Sequence, residues 1–176
     1  KLMQGLRREE ICGLKWESVD FQRRVVHIKE ARTAYGATVI QKETKNRSSM
    51  RTLFMPDELY ELLRREKARQ EQERAIRGGD YAASGHVVLD REGLPYSPNA
   101  LSLAFTRFVR KNHLPRLTLH GLRHTFATIA SAQGVPLFDI GKAMGHSTPA
   151  TTGRIYTHLV DRTHEETLLL VSAALK

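Results

Sequence analysis

The residue pattern changes character once along the chain, at Pro56-Asp57, and that change limits the folds open to it. Before it, three short segments, residues 25–28, 38–41 and 51–55, are rich in β-forming residues, with turn chemistry between them at Tyr35-Gly36 and over residues 46–49. They predict a small antiparallel sheet of three strands. A short helix is expected just ahead of them, over residues 9–16, with acids near its start. After Pro56, helical signals follow one another to the end. Asp57 opens a helix with Leu59, Leu62 and Leu63 as its apolar stripe, and the charged residues 64–77 continue it as a solvated face up to Gly78-Gly79. Residues 86–89 are a candidate short strand. Ser97-Pro98 reads as an N-cap followed by proline at the first helical position, with Leu101, Phe105 and Phe108 on one face beyond it. Leu122, Phe126 and Ile129 line the next helix, Pro136 and Gly145 bound another, and Pro149 opens a further one. The fold class expected is α+β, mainly α: one domain over residues 1–176, helical, with a small three-stranded antiparallel sheet near the amino end.

The final helix, about residues 161–175, contains Leu168-Leu169-Leu170-Val171 and is apolar all round, so it wants burial on more than one side, in its own core or on a neighbouring subunit. A formal charge of +9 points to a polyanionic partner, nucleic acid or an anionic membrane face. No apolar run approaches the ~20 residues needed to span a bilayer, and no signal peptide opens the chain. Cys12 is the only cysteine, which excludes an intrachain disulfide and fits a reducing compartment; its apolar setting marks it as a core residue.

Chemistry concentrates in the second half. In Leu119-His120-Gly121-Leu122-Arg123-His124-Thr125, helical spacing puts His120 and Arg123 on one polar face with His124 adjacent, and Leu122, Phe126 and Ile129 on the opposite, core-facing side. A guanidinium matches phosphate oxygens with paired donors and keeps its charge, while an imidazole titrates near neutrality, so the pair suits phosphate chemistry. An isolated H-x-x-R is nevertheless more often a solvated face. Met144-Gly145-His146 and Ile155-Tyr156-Thr157-His158 follow, and Tyr156 taken alone is an ordinary amphipathic core residue. His120 and His124 have the spacing of a helical zinc pair, but Gly121 stands where H-E-x-x-H needs glutamate, and the reading is no metal. Near the amino end, Arg7 reads either as a phosphate ligand or as a surface charge. Lys45, in Thr44-Lys45-Asn46, is taken to sit at a hairpin tip, where a lysine is normally just solvated.

Together, in order and chemistry, these segments resemble the tyrosine recombinase (phage integrase) family along essentially the whole chain. Gly5-Leu6-Arg7-Arg8-Glu9-Glu10 is similar to the segment carrying the first catalytic arginine, which falls on Arg7, with Glu10 as its supporting acid. Thr44-Lys45-Asn46 resembles the hairpin of the catalytic lysine, Lys45. His120-Gly121-Leu122-Arg123-His124-Thr125 is similar to the second box, giving His120 and Arg123, and Met144-Gly145-His146-Ser147 to the box whose histidine is His146. Tyr156-Thr157-His158 resembles the nucleophile and its neighbours. Gly153, just ahead of Tyr156, is a mild departure that lowers helix propensity by about 1 kcal/mol against alanine.

The resemblance implies cleavage and rejoining of double-stranded DNA through a 3′-phosphotyrosine on Tyr156. Arg7, Arg123 and His146 would face the phosphate, Lys45 would act as general acid, His120 would assist proton transfer and Glu10 would orient Arg7. It implies no metal or other cofactor, a homotetramer on DNA docking through the carboxy-terminal helix, and a cytoplasmic site of action in a bacterial or phage setting. Integration or excision of a mobile element is the expected task. Full-length members also carry an amino-terminal DNA-clamping domain, which this chain, starting a few residues before Arg7, is expected to lack. The rival readings are a type IB topoisomerase, a DNA-binding module with a decayed active site, and a zinc-dependent hydrolase.

Overall fold

The computed structural model describes residues 5–36, 38–43 and 50–146. Lys45, Tyr156 and the apolar stretch at 161–175 lie outside the described residues. Helix α1 (Arg8–Gly13) leads through a 3-10 turn (Trp16–Ser18) into five strands, β1 (Val19–Asp20), β2 (Val25–Ile28), β3 (Glu30–Tyr35), β4 (Thr38–Glu43) and β5 (Arg51–Phe54). Among the described residues, four α-helices follow: α2 (Asp57–Arg77), α3 (Pro98–Lys111), α4 (Leu119–Ala132) and α5 (Leu137–Met144). Among the described residues no helix is long and apolar enough to cross a membrane.

A three-stranded antiparallel sheet is present, with membership that differs from the expected one. Its order is β1-β2-β5, while β4 pairs with β3 in a separate two-stranded ribbon. Only Lys29 separates β2 from β3, so the two act as one long strand against which the chain returns twice. Glu43 lies opposite Glu30, and Arg51 lies opposite Ile28. The tip of the ribbon lies between Tyr35 and Thr38, at the turn expected over Tyr35-Gly36, and Lys45 falls in the sequence between β4 and β5.

Val26 and Ile28 alternate inward from β2 and, with Leu6, Leu14, Val19, Met55, Leu63 and Val87, form the main core. Cys12 is fully buried, as its setting suggested. On α2 the apolar stripe is narrower than expected: Leu63 is buried but Leu62 is 55% exposed. The charged continuation is solvated apart from Gln70, a buried side chain that accepts the indole N–H of Trp16 at 2.8 Å and donates to the Val87 carbonyl at 2.8 Å. Residues 86–89 make isolated bridges to Lys15 and Pro95 and do not form a strand. Ser97 caps α3 by accepting from the Ala100 amide, and Thr118 caps α4 by accepting from the Gly121 amide at 2.8 Å. The apolar faces foreseen for α3 and α4 open at their far ends, where Phe108 and Ile129 are exposed. A second, smaller core joins α4 to α5 through Ala127, Ile140 and Met144.

Candidate active site

The site is built around the carboxy-terminal end of α5. Gly145 adopts φ +69°, a left-handed conformation that favours glycine. The Gly145 amide donates to the Lys142 carbonyl and the His146 amide to the Gly141 carbonyl, closing the helix in a Schellman motif and fixing the backbone of His146. The last carbonyls of a helix lack intrahelical partners and carry its negative dipole end. Here three arginines from three elements take them in succession. Arg51, from β5, donates to Ala143 O at 2.7 Å; Arg123, from α4, to Met144 O at 2.9 Å; and Arg7, ahead of α1, to Gly145 O at 2.7 Å. Arg123 also donates to the Gly5 carbonyl.

Glu10 supplies the counter-charge. Its Oε1 accepts from Arg7 Nη1 at 3.0 Å and Arg51 Nη1 at 2.9 Å, and its Oε2 accepts from Arg51 Nη2 at 2.9 Å and the Arg7 amide at 2.8 Å. Burial alone would push this carboxyl up. The hydrogen bonds and charge of Arg51, and then those of Arg7, outweigh it and hold Glu10 below the usual carboxylate range.

His146 is half-buried beside this cluster. Burial, and then the charges of Arg123, Arg7 and Arg51, push its pKa down to about 4, with Glu10 opposing. The imidazole is therefore neutral at pH 7 and keeps one ring N–H to donate. Arg7, His120, Arg123 and His146 all line one cleft of about 740 Å³, with Thr118 and Ser102 on its walls. His120 is exposed at the start of α4, its ring edge-on to that of His124 at 4.4 Å. Two fixed positive charges, a neutral imidazole and an exposed imidazole around one opening form a receptor for a tetrahedral anion.

Four of the residues singled out in sequence, Arg7, His120, Arg123 and His146, thus come together, with Glu10 directly behind Arg7. Lys45 and Tyr156 lie outside the described residues. One feature of the α4 reading is corrected. Arg123 opens onto the same cleft as His120, as helical spacing expects, but is 4% exposed, while Ile129, expected in the core, is open. Arg123 can be buried because the Gly5 and Met144 carbonyls receive its guanidinium. Arg51 was missed. Its only signal is positional, at the point where the chain re-enters the sheet opposite Ile28, and strand pairing is what brings it to Glu10. Among the described residues no group of three or more His, Cys, Asp or Glu side chains could hold a metal ion.

Comparison with known proteins identifies the family. The sequence profile of the phage integrase family matches residues 2–163. A tyrosine recombinase XerC-like protein of Caldanaerobacter subterraneus subsp. tengcongensis is 28% identical over 172 residues, covering 90% of this chain and 44% of that protein. The transposase from transposon Tn916 of Enterococcus faecalis is 29% identical over 166 residues, covering 89% of this chain and 40% of that protein. The chain thus spans less than half the length of these relatives. Among solved structures, the Tn1549 transposon integrase in complex with transposon right end DNA superposes with a TM-score of 0.76 at 26% identity, over 96% of this chain and 56% of that one. XerA recombinase shares the fold, with a TM-score of 0.69 at 23% identity over 96% of this chain and 54% of that one. The family profile covers nearly the whole chain and the solved neighbours share its mainly helical fold with a small antiparallel sheet: the chain belongs to the phage integrase family of tyrosine recombinases.

Proposed function

We propose that this chain is the catalytic domain of a site-specific DNA recombinase that cleaves and rejoins double-stranded DNA during integration or excision of a mobile element. The observation that carries the reading is the cleft in which Arg7, Arg123 and the neutral His146 converge. Support for the substrate comes from the formal charge of +9, and from the Tn1549 integrase, a structural neighbour in complex with DNA. Transposition by the Tn916 relative supports the mobile-element setting.

A scissile phosphate in the cleft meets guanidinium donors from Arg7 and Arg123 and an N–H from His146. All three stabilise the charge that builds on the non-bridging oxygens in the transition state. The Tyr156 hydroxyl oxygen attacks phosphorus, and the bond from phosphorus to the 5′-oxygen breaks. The product is a 3′-phosphotyrosine and a 5′-hydroxyl. A phenol with a pKa of about 10 is mostly protonated at neutral pH and must lose its proton as it attacks. His120, exposed at the rim of the cleft, receives that proton, and Lys45 delivers one to the leaving 5′-oxygen. Rejoining reverses the step with the 5′-hydroxyl of the partner strand. Strand exchange between two duplexes calls for four protomers on DNA, with residues 161–175 docking each protomer on its neighbour, in the cytoplasm where the DNA lies. No metal enters these steps.

Covalent trapping tests the proposal. Incubation with a nicked suicide duplex carrying the element's attachment site should give an SDS-resistant protein–DNA adduct that survives EDTA and is absent from Tyr156→Phe. No adduct from the full-length protein on its own site would leave a DNA-binding module with a decayed site as the better reading.

A further inference from the structure

Arg51 does not line the cleft, yet it is tied into the residues that shape it. Its side chain is 8% exposed. It fills both oxygens of Glu10 at 2.9 Å and also reaches the Ala143 carbonyl at 2.7 Å, so one guanidinium joins β5, α1 and the last turn of α5. The fit is close. A Cβ added at Gly145 would lie 2.6 Å from Arg51 Nη1, so the guanidinium occupies the space a side chain there would need. Arg51 also marks where the chain re-enters the sheet. Glu43 pairs with Glu30 and Arg51 with Ile28, on either side of Lys29.

We infer that Arg51 is a positioning residue for the phosphate-cleaving reaction, holding Glu10 so that Arg7 stays turned toward the cleft. The inference rests on the recombinase reading above. The physical argument concerns competition for one carboxylate. With Arg51 forked across both oxygens, Glu10 takes Arg7 through a single side-chain bond, from Nη1 to Oε1 at 3.0 Å. The rest of the Arg7 fork is held by Gly145 O and faces the cleft. Without Arg51, the buried carboxylate would satisfy itself by gripping Arg7 with both oxygens, drawing its donors away from the phosphate. A lysine cannot substitute, because one ammonium cannot fork across a carboxylate and reach Ala143 as well.

The test uses the full-length protein with Arg51→Lys, Arg51→Met, Glu10→Gln and the Glu10→Gln/Arg51→Met double variant. Three quantities are read: the single-turnover rate of adduct formation at saturating protein, the affinity for the same uncleaved duplex, and the thermal midpoint that defines an assay temperature at which each variant is folded. Arg51→Met should slow adduct formation at least about 50-fold while duplex affinity changes less than about threefold, since the lost interaction belongs to the transition state. Arg51→Lys should remain at least about tenfold slow although its charge is kept. In the Glu10→Gln background Arg51→Met should cost less than about threefold more, because Arg51 acts through Glu10. A folded Arg51→Met protein that forms adduct within about fivefold of the unsubstituted rate would overturn the inference, and so would full additivity with Glu10→Gln. Should Arg51→Met not fold, Arg51→Lys carries the test, and recovery to within about threefold of the unsubstituted rate would then overturn it. Failure of the unsubstituted protein itself to form an adduct on its own site would sink the recombinase reading, and this inference with it.

Discussion

His146 owes its protonation state to its neighbours. Burial and the three surrounding guanidiniums hold its pKa at about 4 against an ordinary 6.5. The folded protein therefore binds this proton more weakly than the unfolded chain does. The stability His146 contributes is present above about 6.5 and is lost as pH falls toward about 4. His86 is also depressed, by burial and then by Arg32 and Lys15, and acts in the same direction, so the comparison must be internal. Urea midpoints of the parent should fall across that window more steeply than those of His146→Gln, and identical slopes would contradict the placement of His146 among the arginines. Binding carries a second consequence. A phosphate seated in the cleft offsets the guanidinium charges that add to burial in depressing His146, so its imidazole pKa, followed by NMR, should rise from about 4 when cleavage-blocked Tyr156→Phe protein binds its duplex. At this scale His120 and Arg123 were singled out by their helical spacing and chemistry, whereas Arg7 and His146 were reached only through resemblance to the family's motifs. The burial of Arg123 and the role of Arg51 are not legible. A charged residue is exposed by default, and only the assembled carbonyls of Gly5, Ala143 and Met144 make an exception affordable.

Among the elements, α3 and α4 begin in the same way and differ in what they carry. Ser97 and Thr118 each accept from the amide three residues on, and replacing either by alanine should lower stability by about 1 kcal/mol. The first turn of α4 bears His120 and leads to Arg123, whereas the first turn of α3 carries none of the proposed catalytic side chains. Thr118→Ala should therefore slow adduct formation about tenfold or more at a temperature where both variants are folded, while Ser97→Ala stays within about twofold. Equal losses in the two variants would show that helix fraying does not reach the site. The Ser97-Pro98 start of α3 and the span between Pro136 and Gly145 were readable because caps and breakers act locally. The strands were harder. Val25–Ile28 alternates between half-buried and buried, but Glu30–Tyr35 is polar and nearly uniformly half-buried, so it offers no period-two signal. With β3 hidden, the returning strand β4 lost its partner in the reading, although the turn over Tyr35-Gly36 that joins the two was legible from its glycine.

At the scale of the molecule, the candidate site lies on the seam between two unequal cores. Among the described residues, the larger gathers Leu6, Leu14, Val26, Ile28 and Met55 around the sheet, while the smaller buries Ala127, Ile140 and Met144 between α4 and α5. Across the seam run polar ties, the three arginines on the α5 carbonyls, together with the packing of Phe126 over Gly5, where an added Cβ would meet the ring at 2.7 Å. A small apolar core held by charge-assisted hydrogen bonds opens at lower free energy than a large one. Amides of α5 and of Gly145 and His146 should therefore exchange with solvent faster than those of β2 and β5 in the protein alone. Two of the three arginines that hold α5, Arg7 and Arg123, are also those proposed to grip the phosphate, so a bound duplex competes for some of their donors while adding its own bridges between Arg7, Arg123 and His146. If the bridges dominate, exchange over α5 slows at least about tenfold on binding Tyr156→Phe protein to its duplex, with the sheet unchanged. We expect that outcome, because each new bond is charge-assisted and the phosphate meets both arginines at once. Exchange over α5 that quickens on binding would mean that the phosphate displaces the α5 carbonyls, making release of α5 part of the catalytic cycle.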